Sequence, residues 1–284
     1  MAYRKYSVPA TELIQKRVSV RTYVRRLLPA ESVARVEDYL SQASGPFGGA
    51  VRMQFLESSG AKGAVRLGAY GTITGARSFI CAISDMGASS LLQVGYMMED
   101  VVLYLTSLGF GTCWMAGTFS QSKFRRAADV ASDEILPIVT AVGYPSAIRN
   151  PVDLLIKPTP GFRRLPWARL FFAEDMERPL SRELAGDYRM PLEMVRLSPS
   201  ASNKQPWRVV RRGGKHHFYL AHDRTYARRH PYDIQRVDMG IALYHFQTTA
   251  LEAGLDGSWV ESDPGIAHLP SACEYPSSGL PAMG

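Results

Sequence analysis

The apolar positions fall into two long runs and several short ones. Ser89–Leu108 is apolar on nearly all sides of a helix, which predicts a helix running through the middle of the core. Ile234–Gly254 is a second run of the same kind. Glu99 and Asp100 interrupt the first, so it reads as a buried helix and not a membrane span. Gly109 stands where a C′ glycine would end it. Shorter patterns predict helices at Pro9–Lys16, with Thr11 as N-cap, and at Ala30–Ala43, Phe119–Ala128 and Ser181–Arg196. Strands are predicted at Val51–Glu57, Ser78–Ser84, Ile135–Pro145, Arg208–Arg212 and His216–Ala221. Cys113–Thr118 reads as an exposed or strand-like turn, and Arg149–Ala168, rich in proline and arginine, as a loop.

The two long helices repeat at a constant offset. Gly95 with Gly240, Gly109 with Gly254 and Trp114 with Trp259 are each 145 positions apart, and Phe110 pairs with Leu255. A fixed spacing of this kind marks an internal duplication.

Two stretches carry candidate chemistry. In Arg17–Tyr23, RVSVRTY, an extended chain puts Arg17, Ser19 and Arg21 on one face. Two guanidinium forks and a hydroxyl suit a phosphate. A solvated strand edge shows the same alternation. Pro199–Trp207, PSASNKQPW, crowds small, polar and helix-breaking residues between a helix and a strand. Ser200, Ser202 and Asn203 can hydrogen-bond backbone or ligand, although a plain surface turn has the same composition.

Composition narrows the classes. Hydrophobic content of 46% over 284 residues is enough for a sizeable core. The net charge of +7 suits an anionic ligand or plain solubility. The arginines are spread out, with no zinc-finger spacing or RNA-binding aromatic motif, so nucleic acid is not an expected partner. Cys81, Cys113 and Cys273 form no C-x-x-C pair, and their odd number argues against a disulfide framework. A reducing cytoplasm is the expected setting, and the first residues lack the apolar core of a signal peptide. His216 and His217 point to opposite faces of a strand, which disfavours a metal site. His245, on the second apolar helix, reads as a satisfied core histidine.

PSASNKQPW closely resembles the P-S-x-x-N-x-Q-P-W signature of the nitroreductase family, the FMN-dependent NAD(P)H oxidoreductases. RVSVRTY fits that family's R-x-S-x-R-x-F/Y signature. The order of a helix ending in glycines, a W-x-x-G segment (Trp114–Gly117) and a strand closing on Gly-Tyr-Pro (Gly143–Pro145) is also similar. The resemblance implies an α+β, nitroreductase-like fold: an antiparallel-rich sheet with packed helices and long central helices. It further implies that the duplication mimics the family homodimer within one chain, over residues 1–172 and a degenerate second half at 173–261, before an irregular tail at 262–284. The first half keeps RVSVR while its counterpart of the Pro199 loop is SGPFGGA (Ser44–Ala50), so one FMN per chain, held between the halves of a monomer, is expected.

Carried over residue by residue, the resemblance places Arg17, the backbone of Val18 and Ser19 at the phosphate and ribityl chain. It places Arg21 near the ring edge where negative charge gathers on reduction. Trp114, Met115, Ala116 and Gly117 would pass near the ring, although core packing also accounts for Trp114. Pro199, Ser200, Ala201 and Asn203 would close from the opposite half. Arg163–Phe172 loosely resembles the family's closing segment, with Arg164 the best match for a phosphate-facing arginine and Phe162 standing where the family has lysine. The implied partners are NADH or NADPH and an electron-poor acceptor such as a nitroarene or quinone, with no protein nucleophile or metal. Flavin binding without turnover, or dehalogenation or ring oxidation on the same fold, are the alternatives.

Overall fold

The structure is a computed structural model that describes residues 5–58, 73–148, 163–223, 231–261, 263–266, 269–270, 273–275 and 281–283. Its frame is a pair of long helices, α3 (Ala88–Ser107) and α6 (Ile234–Glu252), both buried on nearly every face. They meet through glycine. A Cβ on Gly95 would stand 2.0 Å from the Val237 carbonyl oxygen, and one on Gly240 would stand 2.1 Å from that of Leu92. Any side chain at either position would therefore push the helices apart.

Both helices end alike. Gly109 (φ +82°) and Gly254 (φ +73°) take the left-handed conformation that favours glycine. The N–H groups of Gly109 and Phe110 return to Thr106 and Leu105, and those of Gly254 and Leu255 return to Leu251 and Ala250. Each is a Schellman closure. At the other end of α6, the Asp233 side chain caps the helix by accepting the Gln235 N–H.

A four-stranded antiparallel sheet packs against this pair, in the order β1 (Val51–Glu57), β2 (Ser78–Ser84), β4 (Ile135–Gly143) and β3 (Gly111–Met115). Every residue of β2 is buried, as its unbroken apolar run demands. Helices α1 (Ala10–Lys16), α2 (Ala30–Gln42) and α4 (Gln121–Ala127) lie in the same part of the chain. The second sheet runs β5 (Phe171–Ala173), β6 (Trp207–Arg212), β7 (Lys215–Ala221), β10 (Pro281–Met283) and β8 (Val260–Glu261), with β9 (Cys273–Glu274) also on β7. Strand β5 pairs parallel with β6, so the chain leaves the first sheet to add an edge to the second. α5 (Arg189–Leu197) packs on α6.

Four sequence expectations need correction. The N-cap of α1 is Pro9, not Thr11, and the Glu252 carboxylate of α6 accepts the N–H groups of Ala10 and Thr11. Helix α5 begins at Arg189 and not near Ser181, because Gly186 turns the chain at φ +56° and Pro191 is tolerated only in a first turn. Of Cys113–Thr118, expected as an exposed or strand-like turn, Cys113–Met115 belong to strand β3, with Cys113 and Met115 buried and not exposed. The segment expected to be an irregular tail supplies β9 and β10, which pair the backbone of β7. Backbone pairing of an open edge needs no apolar alternation in the added strand, so nothing in the side chains announced it.

Candidate functional site

One cleft of about 300 Å³ lies between the extended N-terminal segment, the end of β3, the loop at 199–203 and the first turns of α6. The segment from Arg17 to Tyr23 runs along the edge of the first sheet. The Val20 N–H bonds the Thr112 carbonyl at 2.8 Å, and the Tyr23 N–H bonds that of Thr74 at 2.9 Å. This holds the chain extended, so its alternation turns Arg17, Ser19 and Arg21 into the cleft. Val18 faces away and is 54% exposed. Along β3 the same alternation sends Trp114 to the cleft and buries Met115 in the core formed with Phe119 and Phe124. Ala116, Gly117 and Thr118 continue the cleft wall beyond the strand.

The opposite wall is a strained loop. Ser202, Asn203 and Gln205 all take positive φ, at 48°, 55° and 50°. A non-glycine residue held there costs about 1–3 kcal/mol, so surrounding bonds must fix the shape. The Ser200 hydroxyl accepts the Gln205 N–H at 2.9 Å. Asp238 of α6 accepts the Ala201 N–H at 2.8 Å. Gln205, buried to 2% exposure, accepts the Leu165 N–H at 2.7 Å and donates to the Arg163 carbonyl at 3.2 Å. Asn203 accepts from Arg164 at 2.8 Å and donates to the Arg163 carbonyl at 3.2 Å. The signature asparagine and glutamine thus clamp the segment that carries Arg164, and Pro199, Ser200, Ala201, Ser202 and Asn203 all line the cleft.

The cleft is cationic. Arg17 keeps only 7% of its side chain exposed, and its Nε and Nη1 have no hydrogen-bond partner. Its nearest counter-charge is Glu99, 3.9 Å away and fully buried. Glu99 is already engaged by His245 Nε2 at 2.8 Å, while His245 Nδ1 meets Ser198 Oγ and the Met194 carbonyl, both at 2.9 Å. His245 is therefore a satisfied buried histidine. Burial, with Arg17 and Arg196 nearby, brings the Arg164 guanidinium down to about 10. Buried donors without partners and two neighbouring guanidinium groups fit an anionic group such as a phosphate. The Trp114 Nε1 is likewise buried without a hydrogen-bond partner.

Of the residues singled out from sequence, Arg17, Ser19, Arg21, Trp114, Ala116, Gly117, Arg164, Pro199, Ser200, Ala201 and Asn203 line this one cleft. The side chains of Val18 and Met115 do not, and Phe162 lies outside the described residues. Sequence reasoning missed the α6 face, Ile234, Val237, Asp238 and Ile241. Their helical spacing is legible, but in a helix buried on nearly every side an apolar residue facing a cleft looks like one facing the core; Asp238, a carboxyl between Val237 and Met239, was the signal that could have found this face. Elsewhere, His222, Asp233 and Glu274 gather within 4.8 Å, and Arg236 pairs with both acids, tying β9 to the start of α6. No described helix is long and apolar enough to cross a membrane.

A sequence model of the family described as "Putative TM nitroreductase" matches residues 10–250. A structure of a putative nitroreductase from Thermotoga maritima is similar at 25% identity and a TM-score of 0.60, covering 92% of this chain and 93% of that one. A putative NADH dehydrogenase/NAD(P)H nitroreductase from Bacteroides thetaiotaomicron aligns at 22% identity and a TM-score of 0.40, over 50% of this chain and 89% of that one. An FMN-dependent nitroreductase from Clostridium difficile aligns at 16% identity and a TM-score of 0.37, over 52% and 95%. No curated protein sequence matches the chain. With its family match spanning most of its length and its fold shared with the Thermotoga protein, the chain belongs to the Putative TM nitroreductase family, an oxidoreductase family with mixed helices and antiparallel sheets.

Proposed function

We propose that this protein is an FMN-dependent oxidoreductase that draws on NADH or NADPH and serves a nitroaromatic or quinone-type acceptor. The observation that carries the reading is Arg17, buried in the cleft with two donors unpaired beside Arg164. The cleft volume of about 300 Å³ falls at the lower end of the range for small-molecule sites, about 300–1,000 Å³. When bound, FMN supplies the hydride chemistry between nicotinamide and acceptor.

The chain's own residues divide the remaining work. Arg17, Ser19 and Arg164 hold the phosphate end by charge-assisted hydrogen bonds. Arg21 sets a positive charge on the same wall, favouring the build-up of negative charge on reduction. Trp114 and Ala116–Thr118 form the floor, and Pro199–Asn203 closes over it. Ile234, Val237 and Ile241 keep water from that side. No side chain need act as a nucleophile.

The cleft lies between two halves that we read as a fused dimer, dividing near residues 172 and 173. Two features support the duplication. Gly95 meets Val237 while Gly240 meets Leu92, and Val237 is the counterpart of Leu92 at the 145-residue offset. Such reciprocity is the signature of a two-fold interface. The paired Schellman closures repeat at the same offset. On this reading the protein works as a monomer, which size-exclusion chromatography checks.

Titration with FMN followed by anaerobic NADH or NADPH tests the reading. A yellow complex bleached by either nucleotide is expected. A protein that takes up no flavin refutes it, and a yellow protein that neither nucleotide bleaches restricts the function to flavin binding.

A further inference from the structure

Asp238 is spoken for on one oxygen only. It lines the cleft from the second turn of α6 and keeps 3% of its surface exposed. Its Oδ1 accepts the Ala201 N–H at 2.8 Å, which pins the loop in place. Its Oδ2 is buried and has no partner. A carboxylate so placed would be costly, because an ion in a dry wall needs counter-charge or several donors. Burial holds this carboxyl well above the usual carboxylate range; the Ala201 N–H pulls it down and Asp233 pushes it further up. The neutral acid carries an O–H to donate.

The charged surroundings agree with a neutral group. Arg17, Arg21 and Arg164 line the cleft from other segments, and none gives Asp238 a hydrogen bond or an ion pair. Asp233, on the same helix, is like-charged. From α3, Glu99 bonds His245 and Asp100 bonds Lys5, Tyr6, Tyr39 and Tyr244. Asp238 thus lines the cleft with one oxygen engaged by Ala201 and the other buried without a partner.

We infer that Asp238 is a further cofactor-contacting residue, which donates a hydrogen bond from its Oδ2 hydroxyl to an acceptor atom of the ring system bound in the cleft. This rests on the flavin reading above. The same side chain latches the loop through Ala201 and offers its remaining hydrogen to the ligand. Staying neutral, it adds no negative charge to a site that must tolerate one on the reduced ring.

Two measurements test this, neither of them turnover. Asp238→Asn keeps a neutral donor and an acceptor for Ala201, and Asp238→Ala removes both. FMN titration by fluorescence quenching is expected to show Asn binding like wild type and Ala binding about tenfold more weakly, the loss of one buried hydrogen bond. Infrared difference spectra are expected to show the carbonyl band of a protonated carboxyl in wild type but not in Asp238→Asn, and to show that band shift when FMN is added. A role confined to holding the loop would leave the band unmoved by FMN. That outcome overturns the inference, as does the absence of the band, or equal FMN affinity in a folded Asp238→Ala. Wild type that takes up no FMN sinks the flavin reading, and this inference with it; wild type that binds FMN with an unshifted band sinks this inference alone.

Discussion

Replacing Arg17 with alanine should separate function from stability in an unusual direction. In the structure Arg17 is nearly buried, its Nε and Nη1 have no partner, and the nearest carboxylate among the described residues is Glu99, 3.9 Å away. Burying donors unpaired costs free energy, and a 3.9 Å contact to a carboxyl already bonded to His245 returns little of it. The ligand-free variant should therefore melt no lower than wild type. With a phosphate in the cleft those same donors become charge-assisted bonds, and the guanidinium as a whole contributes about 1.5–3 kcal/mol. Their loss should raise the FMN dissociation constant by about ten- to 150-fold. Arg17→Lys keeps the charge but not the planar fork and should fall between the two. Fluorescence quenching of FMN gives the affinities, and a thermal melt of the flavin-free proteins gives the stabilities. Unchanged affinity would remove Arg17 from the phosphate site. A large drop in the flavin-free melting temperature would show instead that Arg17 is a structural residue whose ion pair with Glu99 outweighs its burial.

Other perturbations test the frame. Gly95→Ala places a Cβ 2.0 Å from the Val237 carbonyl oxygen, with backbone on both sides, and should cost about 3 kcal/mol in chemical denaturation; a stability equal to wild type would contradict the close helix contact. Glu99→Ala leaves His245 Nε2 unpaired in a dry site and opens a cavity, for a loss of about 3 kcal/mol measured the same way. On the surface, Arg52 donates to both oxygens of Glu134 at 2.8 and 2.7 Å, and this pairing, aided by the Ala131 N–H, lowers the Glu134 carboxyl to about 2 from an ordinary 4.5. Because the folded value is the lower one, the pair stabilises the fold above pH 4.5, and that contribution fades as pH falls toward about 2. Both groups are partly exposed, so the gap between wild type and Arg52→Ala should be under about 1 kcal/mol at neutral pH and should shrink in acid.

What the sequence disclosed, and what it withheld, follows from the range of each interaction. The alternation of Arg17, Ser19 and Arg21 is a property of an extended chain, so their shared face was legible before any partner was known. The buried strands and the two long helices carry their environment in their own composition. The contribution of α6 to the cleft was not legible, because Ile234, Val237 and Ile241 look the same whether they face a core or a ligand. The resemblance brought in Met115 with the Trp114–Gly117 segment; strand alternation turns its side chain into the core, opposite Trp114, which leaves only its backbone on offer to a ligand. The cap on α1 comes from Glu252, more than 200 residues away, and no local rule could have named it. Strands β9 and β10 arise from the open edge of β7, a feature of the sheet and not of the segments that complete it.

On the duplication reading, the asymmetry of the halves bears on stoichiometry. At the 145-residue offset Trp259 is the counterpart of Trp114, and Gln93 that of Asp238. Gln93 accepts the Phe47 N–H at 3.1 Å, just as Asp238 accepts the Ala201 N–H, so the SGPFGGA loop is tethered like the Pro199 loop. Its contents differ. Phe47 packs edge-on against Tyr96, with ring centroids 5.4 Å apart, and tilts against Trp259 at 5.9 Å. Trp259 also contacts Phe218 and Phe246 and bonds Gln247 through its indole N–H. On the duplication reading, the place where a second ring would lie is filled by the protein's own aromatic rings, while the first remains a cleft with unpaired donors. One flavin should therefore bind per chain, measured from the flavin-to-protein absorbance ratio at saturation. Phe47→Ala should open space in the second half without creating a second equivalent of binding, because the second half of the sequence has no counterpart of the RVSVR segment. Two flavins per wild-type chain would mean that an aromatic plug does not close the second site, and the argument from filled space would fail.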